Sequence, residues 1–230
     1  MRIYLLFLSL FFLTISTYAQ RNKTKIENLQ NFDQKKIHFG YYVGINNYNY
    51  KLDYKINPEK RTLVGDKMGI NVGLIGDLKL RKNINLRFEP GLYTNKSEII
   101  FNDRQNIDTL RTLKSTYIHL PLLIKYSAKR YNNLKPYVLG GLSTSFNLSS
   151  NQDSPEDNNN GVFRLKTNSF YYELGFGIDF YLQYFKFSPS IRGVFSLKNE
   201  IVPDLDPNSP WTGNINKMST RAIFINFSFH

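Results

Sequence analysis

Apolar-alternating stretches of this chain are joined by long and short connections in strict turn. After residue 36, long polar segments fall at roughly 50–67, 98–114, 149–167 and 198–217, with tight turns at 81–83, 128–134 and 183–184. Long loops at one end and short turns at the other are what a closed antiparallel barrel in a bacterial outer membrane requires. The expected fold is therefore all-β. It is an eight-stranded antiparallel transmembrane β-barrel over residues 36–230, with long external loops and short periplasmic turns.

Side chains alternate across a strand, so parity assigns each residue to a face. In the first stretch Phe39, Tyr41, Val43 and Ile45 share one face, and His38, Gly40, Tyr42, Gly44 and Asn46 the other. The same division recurs in each later stretch, for example Phe170, Tyr172, Leu174, Phe176, Ile178 and Phe180 against Glu173, Gly175, Gly177 and Asp179. A soluble barrel could share this pattern with its apolar face inward. Its other face would then carry many more Lys and Glu than the Gly, Ser and Asn found here. Small polar residues suit a crowded lumen. Aromatic residues near strand ends (Tyr48, Tyr50, Tyr126, Tyr181, Tyr184, Phe185) are expected to form interfacial girdles. Pro90, Pro121, Pro136 and Pro189 each lack a ladder donor, and a closed barrel has no edge to hide the gap. Bulges or strand ends are expected there.

The N-terminus reads as a processing signal. Arg2 supplies the positive end, Ile3 to Ile15 the apolar run, and Thr17-Tyr18-Ala19 the small-residue cleavage site. Residues 1–19 are thus expected to be removed after export by the Sec pathway, leaving 20–35 as a polar periplasmic leader. No later stretch approaches the ~20 apolar residues of a membrane helix. The chain has no cysteine, so disulfides, thiolate metal sites and thiol catalysis are excluded together. Net charge is +12, dispersed through leader, turns and loops without a nucleic-acid motif. The expected counter-charges are outer-membrane lipid head groups, including lipopolysaccharide, with no nucleic-acid partner.

Several stretches resemble the PorT family. They are Asn85-Leu-Arg-Phe-Glu-Pro-Gly-Leu-Tyr93, Ser115-Thr-Tyr-Ile-His-Leu-Pro-Leu-Leu123, Tyr172-Glu-Leu-Gly-Phe-Gly-Ile-Asp-Phe180 and Phe185-Lys-Phe-Ser-Pro-Ser-Ile-Arg-Gly193. The loop Asp206-Pro-Asn-Ser-Pro-Trp-Thr-Gly213 and the closing Met218-Ser-Thr-Arg-Ala-Ile-Phe-Ile-Asn-Phe227 extend the likeness. It runs from about Ile37 to the C-terminus. It implies an outer-membrane barrel required by the type IX secretion system, which exports proteins bearing a C-terminal sorting domain and is linked to gliding motility. It implies contact with other components of that machinery and brings no catalytic residues with it.

Candidate sites are few. Arg87, Glu89, Glu173, Asp179 and Arg192 fall on polar faces and are expected to form a structural charge network in the lumen. Eight strands leave an interior only wide enough for side chains, whereas water-filled channels need roughly 16–18. His38 and His119 also point inward, but no G-x-S-x-G elbow accompanies them, so no catalytic residue is assigned. Asp153, Glu156 and Asp157 lack the spacing of a calcium loop, and Asn158-Asn-Asn-Gly161 reads as flexible turn. No cofactor or metal is implied. Trp211, the only tryptophan, follows Pro210 in a proline-restrained loop. The pair is a candidate partner contact, against a lipid-resting or lid-forming role. Rival functions are a small adhesive or tethering surface barrel and a lipid-modifying enzyme.

Overall fold

The computed structural model describes residues 26–58, 62–100 and 110–230. The expected signal peptide, and residues 20–25 of the leader, lie outside the described residues. The strands are β1 (Ile37–Tyr54), β2 (Leu63–Arg81), β3 (Ile84–Phe88), β4 (Gly91–Ile100), β5 (Leu110–Ser127), β6 (Leu134–Asn147), β7 (Asn168–Tyr181), β8 (Lys186–Ser196) and β9 (Ile215–Phe229). All ladders are antiparallel, and β1 pairs with both β2 and β9, so the sheet closes. Since β3 and β4 each lie between β2 and β5, they are two halves of one wall strand. The ring therefore has eight strands.

Parity fixes what each face meets. Phe39, Ile70, Leu74, Leu142, Leu174, Phe176 and Ile223 are more than half exposed on the outer wall. Inward neighbours such as His38, Asn71, Ile75, Ser143, Glu173 and Phe224 are buried. Exposed apolar side chains in this number are costly in water, and hydrocarbon removes that cost. Both strand ends run further than the sequence suggested. β1 and β2 extend well into the segment expected to be a loop, because the alternation continues through Tyr48, Tyr50, Leu52 and Tyr54. That continuation corrects part of the girdle assignment. Tyr126, Tyr184 and Phe185 do face outward, but Tyr48, Tyr50 and Tyr181 share the parity of inward residues and are buried.

The prolines shape the wall where expected. The break between β3 and β4 falls at Glu89-Pro90. Pro121 lies inside β5 opposite that same break, its carbonyl accepting from the Glu89 amide at 3.3 Å. Two missing donors thus share one gap. On the other side, the β7–β8 ladder pairs Gly177 with Ser190 and Phe180 with Phe187, but skips the rungs around Pro189. Pro136 stands near the start of β6.

Candidate functional site

The lumen is filled, and its filling is ordered by height. A line of charged side chains runs across the periplasmic half. Arg87 on β3 donates to Asp77 on β2, with Nη2 to Oδ2 at 2.6 Å, and its Nη1 reaches Glu89 at 3.3 Å. Arg192 on β8 donates to the other Glu89 oxygen at 2.8 Å and pairs with Glu173 on β7 at 3.0 Å. Glu173 then meets His119 Nε2 at 2.7 Å, and His119 Nδ1 bonds the Ser145 hydroxyl. Below this line Lys125 donates to both oxygens of Asp179, at 2.9 and 2.6 Å, and Ser188 donates to Asp179 at 2.6 Å. Lys186 stands 4.0 Å from the same carboxylate.

All five network residues expected from sequence are therefore together in the lumen, in two clusters. Arg87, Glu89, Glu173 and Arg192 form one, and Asp179 belongs to the other. Asp77, Lys125, Lys186 and His119 are members that were not assigned in advance. Parity already placed them inward, and that was the available signal. Within these two clusters the acids Asp77, Glu89, Glu173 and Asp179 match the bases Arg87, Lys125, Lys186 and Arg192 in number. Balance is what burial demands, since an unpaired charge in such a place is strongly destabilising.

Above the charges lies an aromatic tier of Tyr42, Tyr48, Tyr93, Tyr117, Tyr171 and Phe224. Tyr48 stacks on Tyr117 at 5.6 Å between centroids. Tyr42 occupies space left by missing side chains. A Cβ at Gly91 would lie 2.1 Å from its hydroxyl, and one at Gly73 2.5 Å.

The external mouth is covered. Residues of the last two long loops pack Phe163, Leu165, Ile201 and Trp211 onto Tyr50, Ile99, Leu113, Ile215 and Met218 from the strands. Leu165 and Ile201 form a bridge between the loops, and Arg164 donates to the Pro203 carbonyl. Asn158 is fully buried, donating to Asp204 while its own oxygens accept from Arg111 at 3.1 and 2.9 Å. The segment read as a flexible turn is thus a packed part of the lid, because Arg111 and Asp204 supply partners invisible in the local sequence. Trp211 is 8 % exposed, with the Arg111 guanidinium over its ring at 5.2 Å. A partner-anchoring role for Pro210 and Trp211 is not what this arrangement offers, because the indole already fills the lid.

Glu200 lies within the lid, where Oε2 accepts from the Thr220 amide and hydroxyl. Burial pushes its carboxyl above the ordinary value. Asp157 instead accepts the Asn159 and Leu205 amides, at 2.9 and 3.1 Å, and these hold it low. It caps a turn. Among the described residues no group of three or more His, Cys, Asp or Glu could hold a metal ion.

The leader closes the periplasmic end. Phe32 stacks on His38 at 4.4 Å and lies 4.7 Å from the Lys186 ammonium. His38 Nε2 bonds the Phe32 carbonyl at 2.7 Å. Asp33 accepts from Lys135 at 2.9 Å and from the Tyr181 hydroxyl at 2.8 Å. Burial alone would raise Asp33, but Lys135 and Tyr181 outweigh it and hold its carboxyl below the usual range. Arg130, stacked on Tyr181 at 3.8 Å, donates to the carbonyls of Asn28 and Leu29.

A family model described as "Outer membrane protein beta-barrel domain" matches residues 18–202. Among solved structures, OprG from Pseudomonas aeruginosa is similar at 13 % identity and a TM-score of 0.49, with 83 % of this chain and 94 % of that one covered. AlkL, solved in lipid bilayers, is similar at 13 % identity and a TM-score of 0.45, covering 91 % and 92 %. The Neisserial surface protein NspA gives 9 % identity and 0.43, covering 82 % and 95 %. No curated protein matches.

Proposed function

The chain belongs to the outer membrane protein β-barrel domain family, and from that premise we propose that it is a non-enzymatic component of type IX protein secretion. In this role it serves export of cargo with a C-terminal sorting domain by contact with other machinery in the membrane. One observation carries the reading. The lumen is packed with balanced ion pairs and capped at both ends. A barrel so filled offers partners its outer wall, its loops and its leader rather than a passage. The stretches that resemble the PorT family are also those that supply Arg87, Glu89, Glu173, Asp179 and Arg192. The resemblance therefore falls on the inside of the barrel as well as on its strand pattern. Sec export with cleavage after residue 19 belongs to the same proposal.

The test is genetic and biochemical. Deleting the gene should abolish export of sorting-domain cargo, and pull-downs from native membranes should retain secretion components. Normal export in the deletion strain would remove the reading. A tethering barrel would instead lose attachment with secretion intact.

A second reading takes its support from one alignment. Ser145, His119 and Glu173 stand in the order hydroxyl, imidazole, carboxylate that ester hydrolysis uses. All three are about 1 % exposed, and Arg192 holds the second Glu173 oxygen. Ser145→Ala separates the readings, since hydrolysis predicts an altered lipid A acyl profile and the structural role predicts none.

A further inference from the structure

We propose that the outward faces of β4 and β5 carry a binding site for the phosphate of an outer-leaflet glycolipid, with Lys96 and Lys114 as its cationic pair. Three successive rungs of the β4–β5 ladder face outward. Leu92 pairs with Ile118, Thr94 with Thr116, and Lys96 with Lys114. Moving away from the periplasm, the wall thus changes from apolar to hydroxyl to ammonium in three steps. That sequence of chemistries matches acyl chain, sugar and phosphate. The acyl end continues sideways onto β2, where Met68 and Ile70 are 76 % and 68 % exposed.

The ammonium rung is the informative one. Like charges directly opposite on neighbouring strands are destabilising. Here the repulsion is compounded, because Lys67 on β2 is also the ladder partner of Lys96. Lys67 pairs with Glu98, but neither Lys96 nor Lys114 has an ion pair among the described residues. An anion between them would remove the repulsion. A hollow of about 270 Å³ lies at this place, lined by Met68, Lys96, Lys114, Thr116 and Ser149 among others. Its lining supplies charge and hydroxyl donors together, which is the chemistry of phosphate recognition. The site does not depend on the secretion role.

The test uses the full mature chain in phosphatidylcholine nanodiscs doped with bisphosphorylated lipid A. Binding is compared between the native chain, Lys96→Gln/Lys114→Gln, and a control with Lys82→Gln/Lys129→Gln in the periplasmic turns. Both pairs are exposed, and folding is checked by heat-modifiable migration. The rim variant should bind about tenfold or more weakly, each lysine at a charged lipid surface being worth ~1 kcal/mol. The control should bind as the native chain does, and fully dephosphorylated lipid A should bind all three equally weakly. Unchanged affinity in the rim variant overturns the proposal. So does equal binding of dephosphorylated lipid A, or full displacement by millimolar inorganic phosphate, which would mark a free-anion site.

Discussion

Tyr42 donates its hydroxyl to the backbone carbonyl of Glu89 at 3.2 Å, from inside the barrel. In an antiparallel ladder a residue's N–H and C=O face the same neighbour. The Pro121 carbonyl accepts from the Glu89 amide, so the N–H that Pro121 lacks is the one the Glu89 carbonyl would have received. A lumen side chain thus repairs a gap in the wall, and Gly73 and Gly91 leave room for it to do so. Tyr42→Phe should lower unfolding stability in detergent by about 1–3 kcal/mol, the cost of a stranded buried acceptor. Pro121→Ala restores a donor, so the double variant should recover most of that loss. A urea-unfolding cycle measures the coupling. Simple additivity of the two changes would refute the repair.

Arg192 joins opposite walls, since β8 and the β3/β4 strand are four places apart around the ring in either direction. Removing it leaves Glu89 and Glu173 buried without their shared partner. Arg192→Met should cost ~3–5 kcal/mol. Adding Glu173→Gln should recover much of the loss, because the lumen is then neutral again and Glu89 keeps Arg87 as its partner. The readout is again the urea midpoint at constant slope. If the double variant were less stable than Arg192→Met, charge balance would not be the principle that organises the lumen.

Leu174 and Gly175 are neighbours on β7 that face different media. Leu174 is 60 % exposed on the outer wall. Arg there should cost ~2–4 kcal/mol at the bilayer midplane. At Gly175 a Cβ would lie 2.6 Å from the Ile191 carbonyl oxygen and 3.0 Å from Arg192 Cα. Gly175→Ala should therefore cost about 1–3 kcal/mol by overpacking alone. Refolding into bilayers of short- and long-chain lipid separates the two, since only the Leu174→Arg penalty depends on depth in the membrane.

The wall was legible in the sequence and the ends were not. Strand parity depends only on alternation, so the facing of Phe39, Leu174, Arg87 and Glu173 could be read residue by residue. Parity also placed Asp77 and Lys125 inward, yet their partnership with Arg87 and Asp179 needs register between strands, which alternation does not give. The lid depends on contacts far apart in the chain. Asn158 looks like turn chemistry until Arg111 and Asp204 are brought to it. The leader gave no period-2 signal at all, because Phe32 and Asp33 are fixed by Lys135, Tyr181 and Lys186 rather than by a ladder.

The two caps should respond to acid in opposite directions. Asp33 is held below its ordinary 3.8, so its contribution to leader docking is complete above 3.8 and is lost as pH falls through the lower folded value. Glu200 is held above its ordinary 4.5, so its contribution to the lid is complete below 4.5 and is lost as pH rises through the higher folded value. Acid should loosen the leader and tighten the lid. A spin label at Gln30→Cys, the sole cysteine it creates, reports the exposed leader, and acrylamide quenching of Trp211 reports the lid. Label mobility should rise on acidification below 3.8, and quenching should rise as pH climbs above 4.5. Glu200→Gln should abolish the change in quenching, and Asp33→Asn should leave the leader mobile already at pH 7. A lid whose quenching rose in acid, or a leader unmoved by Asp33→Asn, would contradict the roles given to these two carboxyls.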